Sequence, residues 1–144
     1  MTAVLTPELL TGADGFLDDD NQYQATAALG REFYDEFGAE KDGHISSQLR
    51  NLQQIAVSAP RFADIEDFVK HQMGRKTGAY KEWRRVGVKI IEKLKLLRDE
   101  GNKISTDEQE RLLLRLYLAR GWVRALVGAY MYAKALKEMN QNHG

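Results

Sequence analysis

The chain has 144 residues, no cysteine, and 21 basic against 21 acidic side chains. That length is the size of one domain and buries enough surface to stand without cross-links. The missing cysteines exclude disulfides, thiolate zinc sites and a cysteine nucleophile, which fits a reducing cytoplasmic setting. The net charge of zero hides an asymmetry. Residues 1–42 hold ten acids and only Arg31 and Lys41 as bases, and residues 43–144 carry the opposite excess. Between Lys70 and Arg98 there are ten bases against Glu82 and Glu92. Charge segregated in this way speaks of partners rather than of fold: a polyanion, an acidic protein surface or an anionic membrane.

In chain order, residues 1–19, with Gly12, Gly15 and the Asp18-Asp19-Asp20 run beginning at their end, are predicted to be a flexible acidic tail. They lack the basic stretch and long apolar run of a secretory signal. Residues 20–144 are predicted to form a single all-α domain, a compact bundle of about five helices with the last one long. The first helix covers about Asp20 to Phe37, with Asp20 as N-cap and Tyr23, Leu29, Phe33 and Phe37 as its apolar positions. Gly38 and Gly43 mark a loop. The second helix follows Ser46 or Ser47 as its cap and carries Leu49, Leu52, Ile55 and Ala56 inward, ending at Ser58-Ala59-Pro60. Pro60 then opens a third helix in its first turn, with Phe62, Ile65, Phe68 and Val69 facing the core. Gly74 and Gly78 bracket the basic junction Arg75-Lys76-Thr77.

The fourth helix, about Ala79 to Glu100, is the clearest amphipath. Tyr80, Trp83, Val86, Ile90, Ile91, Leu94 and Leu97 fall on one stripe, and Lys81, Arg84, Arg85, Lys89 and Lys95 on the other side. Gly101-Asn102 is its expected stop. Ser105 and Glu108 form a capping box for the last helix, about Thr106 to Met139. That helix is apolar on two sides. One stripe is Leu112, Leu116, Ala119, Val123, Leu126, Val127 and Tyr130. The other sets Gly121, Ala125 and Gly128 between Leu114, Leu118 and Tyr132. Such a helix is central in its bundle or touches a second chain, and the central position is the simpler reading.

Several chemistries fail on residue type and spacing. His44, His71 and His143 stand far apart without a partner ligand at helical spacing, and the Asp18–Asp20 run lacks the glycine and terminal glutamate of a calcium loop. No metal site or cofactor is therefore expected. Gly74-Arg75-Lys76-Thr77 is not a phosphate-binding loop, because Arg75 separates glycine from lysine and a helix precedes it. No nucleophile–base grouping is present, so the chain reads as a binding protein and not an enzyme. A helix-turn-helix reader of DNA fails because its recognition helix would push Asp64, Glu66 and Asp67 towards phosphates. No run is apolar enough to span a membrane, and the apolar side of the fourth helix reads as core, so a membrane partner is not expected. The basic side of the fourth helix remains. It is read here as a polyanion-binding face, with neutralisation by the acidic first 42 residues as the competing account.

Three segments resemble a known family. Ile45-Ser46-Ser47-Gln48-Leu49-Arg50-Asn51-Leu52 looks like its Ser/Thr-pair, Leu-Arg signature. Phe68-Val69-Lys70-His71-Gln72-Met73-Gly74-Arg75 is similar to its aromatic-to-Gly-Arg junction. Arg124-Ala125-Leu126-Val127-Gly128-Ala129-Tyr130 resembles its Ala-Leu-Val-Ala-Tyr close. The family is the small helical (Csm-type) subunit of type III CRISPR–Cas effector complexes, and the resemblance spans roughly residues 20–135 in the same order. It implies a non-catalytic role in CRISPR–Cas antiviral defence. Its members line the groove where guide RNA pairs with target RNA, stack with further copies of themselves, and bridge the repeated backbone subunits to the large subunit. Arg50 and Arg75 are the RNA contacts that the resemblance carries over. Lys76, Lys81, Arg84, Arg85 and Lys89 are added from the charge pattern, as sequence-independent contacts to phosphates. The alternative is a helical protein–protein adaptor whose basic face meets an acidic partner.

Overall fold

A computed structural model describes residues 4–37, 42–76 and 80–142. All regular structure among them is helical: α1 (Pro7–Leu17), α2 (Asp20–Phe37), α3 (Asp42–Ser58), α4 (Phe62–Gly74), α5 (Tyr80–Ile104) and α6 (Glu108–Asn142). The all-α class and the long last helix agree with the sequence reading, and there are six helices rather than five.

The additional helix is α1, within the segment expected to be a loose tail. Thr6 is its N-cap, with Oγ1 accepting from the Leu9 amide at 3.2 Å, and Pro7 occupies the first turn, where its missing N–H costs nothing. Ala13 is fully buried, and Leu9, Phe16 and Leu17 pack against the core. One apolar side was enough to dock the segment despite Gly12 and Gly15.

Five other boundaries are corrected. Asp19, not Asp20, caps α2, its Oδ2 accepting from the amides of Asn21 at 3.0 Å and Gln22 at 3.2 Å. The third helix in the chain, α3, starts ahead of Ser46 and Ser47, which lie within it. Pro60 precedes α4, whose N-cap is Arg61. At the far end, α5 runs through Gly101 and Asn102. Gly101 is buried where α6 crosses, and a Cβ there would sit 3.4 Å from the Leu114 Cβ, so this glycine serves close packing rather than termination. Asp107, not Ser105, caps α6 by accepting from the Glu110 amide at 2.9 Å. The Ser105 hydroxyl donates to the Glu110 carboxylate at 2.7 Å. The expected loop glycine Gly38 and the Thr77-Gly78 part of the junction lie outside the described residues, as does His143.

The core is a single cluster centred on α6, which packs against all five other helices. Leu114, Leu118, Ala119, Val123 and Leu126 are fully buried. They meet Leu49 and Leu52 of α3, Ile65 and Val69 of α4, and Trp83, Val86, Ile90, Leu94 and Leu97 of α5 within one apolar body. Gly30 lets α2 lie directly on α6, because a Cβ there would come within 2.5 Å of the Ala129 Cβ and 2.9 Å of α6 backbone. Three large side chains on the predicted stripes face solvent instead: Tyr23 on α2, and Leu112 and Tyr132 on α6. Both buried indoles are satisfied by side-chain partners. The Trp83 indole donates to Gln48, and the Trp122 indole to Thr26 Oγ1 at 3.2 Å. No helix among the described residues is long and apolar enough to cross a membrane.

Candidate functional site

The amphipathic reading of α5 places its two sides as expected. Trp83, Val86, Ile90, Leu94 and Leu97 are buried, and Lys81, Arg84, Arg85, Lys89 and Lys95 face solvent. Indole and phenyl rings fix the first turns of the helix: Trp83 meets Phe33 and Phe68 edge-on, at ring-centre separations of 5.6 and 6.5 Å. The basic face is therefore held by rigid packing.

It is not uniform. In its middle, the carboxylates of α2 reach across. Arg85 Nη1 donates to Glu36 Oε2 at 2.6 Å, and the Lys89 ammonium pairs with Glu32. One turn further on, Lys93 donates to Gln22 Oε1 and lies 5.7 Å from the centre of the Phe16 ring. Burial pushes the Lys93 ammonium below the ordinary lysine pKa of 10.5. The acidic first third of the chain thus neutralises part of this face, as the competing account expected, though Arg85 and Lys89 keep half or more of their side-chain surface open.

The end of the face at the α4–α5 corner is different. Arg84 Nε donates to the Met73 carbonyl at 2.8 Å, which caps the last turn of α4 and brings the start of α5 against it. Arg75 and Lys76 follow directly, and both are exposed. Arg75 Nη1 donates to Gln72 Oε1 at 3.1 Å, an anchorage that leaves its charge without an acid among the described residues. Lys70 and His71 on α4 are also exposed. Lys70 and Lys76 form no hydrogen bond or ion pair with the described residues, so positive charge here stands open to water.

Of the seven candidate contacts, Arg75, Lys76 and Arg84 gather at this corner, with Lys81 on the adjoining turn of α5. Arg85 and Lys89 belong to the neutralised stretch. Arg50 is exposed on α3, two residues after Gln48, whose side chain ties α3 to Trp83; it makes no ion pair with the described residues. The sequence did not reveal a second polar cleft between α1, α2 and α6, of about 520 Å³, lined among others by Asp14, Asp18, Tyr117 and Arg124. There the Tyr117 hydroxyl donates to Asp14 Oδ1 at 2.5 Å, which holds its phenol above the usual 10.0. That cleft depends on α1 being a helix, and no spacing within one segment signals it.

Among the described residues, no group of three or more His, Asp or Glu side chains is arranged to hold a metal ion. No protein-family model matches the chain, and no curated protein or solved structure matches it either.

Proposed function

We propose that the chain is a non-catalytic, cytoplasmic RNA-binding subunit, the small helical subunit of a type III CRISPR–Cas effector complex. In this reading it lines the guide–target RNA groove and bridges the backbone and large subunits. The observation that carries the binding half is the open cation cluster at the α4–α5 corner, where Lys70, Arg75 and Lys76 lie exposed with no carboxylate of the described residues paired to them. Cations on a rigid helical corner attract phosphates whatever the base sequence, as a subunit serving any guide requires. The three resemblant segments supply the complex to which it would belong.

The test is fluorescence anisotropy with unrelated single-stranded RNA oligomers across a salt series. Log affinity should fall linearly with log salt, with a slope of about −0.7 for each phosphate contacted. Lys70→Glu with Lys76→Glu should weaken every sequence alike and flatten the slope by about one unit or more. These positions are better probes than Arg84, whose exchange would also uncap α4. Salt-insensitive binding, or a loss confined to one sequence, overturns the reading.

A second reading has its own observation. The Arg85–Glu36 and Lys89–Glu32 pairs show that this face already accepts carboxylates, which favours an adaptor for an acidic protein. Affinity capture from the native host separates the two: a guide RNA with repeated backbone subunits supports the first, and an acidic protein without RNA supports the second.

A further inference from the structure

Past the point where α1 ends, α6 keeps one side that none of the described residues covers. Ala125 and Gly128 are exposed, and a Cβ added at Gly128 would meet no atom within 4 Å. Tyr132 is 66% exposed and Met139 56%, with Tyr23 of α2 standing 64% exposed beside them. Between α2 and α6, Tyr23, Ala125, Gly128 and Tyr132 border an apolar groove of about 400 Å³, in which Arg31 is the one charged residue among the described lining. Large apolar side chains aligned on one helix face, over a floor of small ones, are what a second helix packs against.

The charges bordering this face indicate which helix. Arg124 and Glu138 are both exposed, and neither forms an ion pair or hydrogen bond with the described residues. They are fourteen residues apart, which on an α-helix places them about 40° from each other around the axis and about 21 Å along it. Both lie on the border away from α2, because Ala129 and Ala133 form the opposite border, against Gly30 and Arg31. When two helices pack antiparallel about a twofold axis, each border meets its own copy in reverse order. The midpoint of Arg124 and Glu138 is residue 131, and the apolar face running from Ala125 to Met139 is centred on 132. Centring the apolar face on its copy therefore sets Arg124 opposite Glu138 of the second copy, and does so twice. A parallel twofold pairing would instead turn this border towards the Ala129 and Ala133 border of the copy, leaving Arg124 and Glu138 without each other.

We infer that the chain forms an antiparallel, isologous homodimer through the open face of α6, registered by two reciprocal Arg124–Glu138 pairs. The symmetry closes this contact at two copies. The inference does not rest on RNA binding, and it is tested on protein freed of nucleic acid.

Sedimentation equilibrium of the full chain from micromolar to near-millimolar concentration should give a monomer–dimer equilibrium. Gly128→Glu and Tyr132→Glu should leave a monomer with unchanged helicity and thermal midpoint, since neither position is buried. Arg124→Glu and Glu138→Arg should each weaken the dimer about tenfold or more, because each turns two attractions into repulsions. Combining the two reversals should restore it. A chain that stays monomeric, associates only when RNA is added, or builds an open-ended series of stacked copies overturns the inference. So does a dimer indifferent to Gly128→Glu, or a double reversal that does not rescue.

Discussion

Glu32 and Glu36 sit on the flank of α2 that faces α5, four residues apart and so one turn from each other, matching the spacing of Arg85 and Lys89. Both pairs are solvent-exposed, which limits each to about 0–1 kcal/mol, so a competing phosphate has little to displace. Replacing both acids by glutamine should leave the fold intact and make RNA binding several-fold tighter. The salt slope should steepen by up to about 1.4, as two further phosphate contacts become available. Unchanged anisotropy curves would place RNA away from the middle of α5. Lys93, the next cation along, offers a different readout. Its folded pKa is lowered while the unfolded chain keeps about 10.5, so its burial penalty is present at neutral pH. The penalty is relieved as pH rises through the lowered value towards 10.5. The wild-type chain should therefore gain stability relative to Lys93→Met over that alkaline interval, and denaturant titrations at pH 7 and pH 10 read the difference. Equal differences at the two pH values would deny the shift.

At the scale of elements, α1 changes what a truncation means. Removing residues 1–19 would ask whether their acids mask the basic face, but it also strips Ala13 and Leu17 from the core. Leu17 covers Gly121, with a methyl 2.6 Å from where a Cβ would stand. Leu17→Ala should cost about 1–3 kcal/mol in chemical denaturation without altering RNA affinity. A neutral result would mean that α1 is only loosely seated. The amphipathic period made the two sides of α5 legible, with Trp83, Val86, Ile90, Leu94 and Leu97 buried and Lys81, Arg84, Arg85, Lys89 and Lys95 open, though not its C-terminal end. The missed features share one physical cause. Thr6-Pro7 is a sound helix start, but two glycines and a short apolar side outweigh it until α5 and α6 supply a surface to bury against. Likewise Gly101 reads locally as a stop, whereas in the fold it marks a helix crossing. Tyr23 and Tyr132 have core-like spacing and still face water, because a periodic pattern cannot tell a face covered by the same chain from one left for another.

For the whole molecule, the segregation of acid and base along the sequence becomes a partial match in space, with α2 laid beside α5. What holds α2 there is apolar: Phe33 is fully buried against Trp83, and Gly30 lets the backbone of α2 rest on α6. Ion pairs and core packing respond differently to salt, and this gives the last prediction. At about 1 M salt the screening length falls to about 3 Å, so the α2–α5 pairs lose most of their attraction. Two exposed pairs are together worth no more than about 2 kcal/mol, so the thermal midpoint should fall by only a few degrees, to about 8 °C at most. Over the same range, RNA affinity should drop by orders of magnitude, because each phosphate contact contributes to the slope. A midpoint that collapses together with RNA binding would mean that charge matching, and not Phe33 and Gly30, seats α2. The open corner of Lys70, Arg75 and Lys76 would then no longer be separable from the fold that presents it.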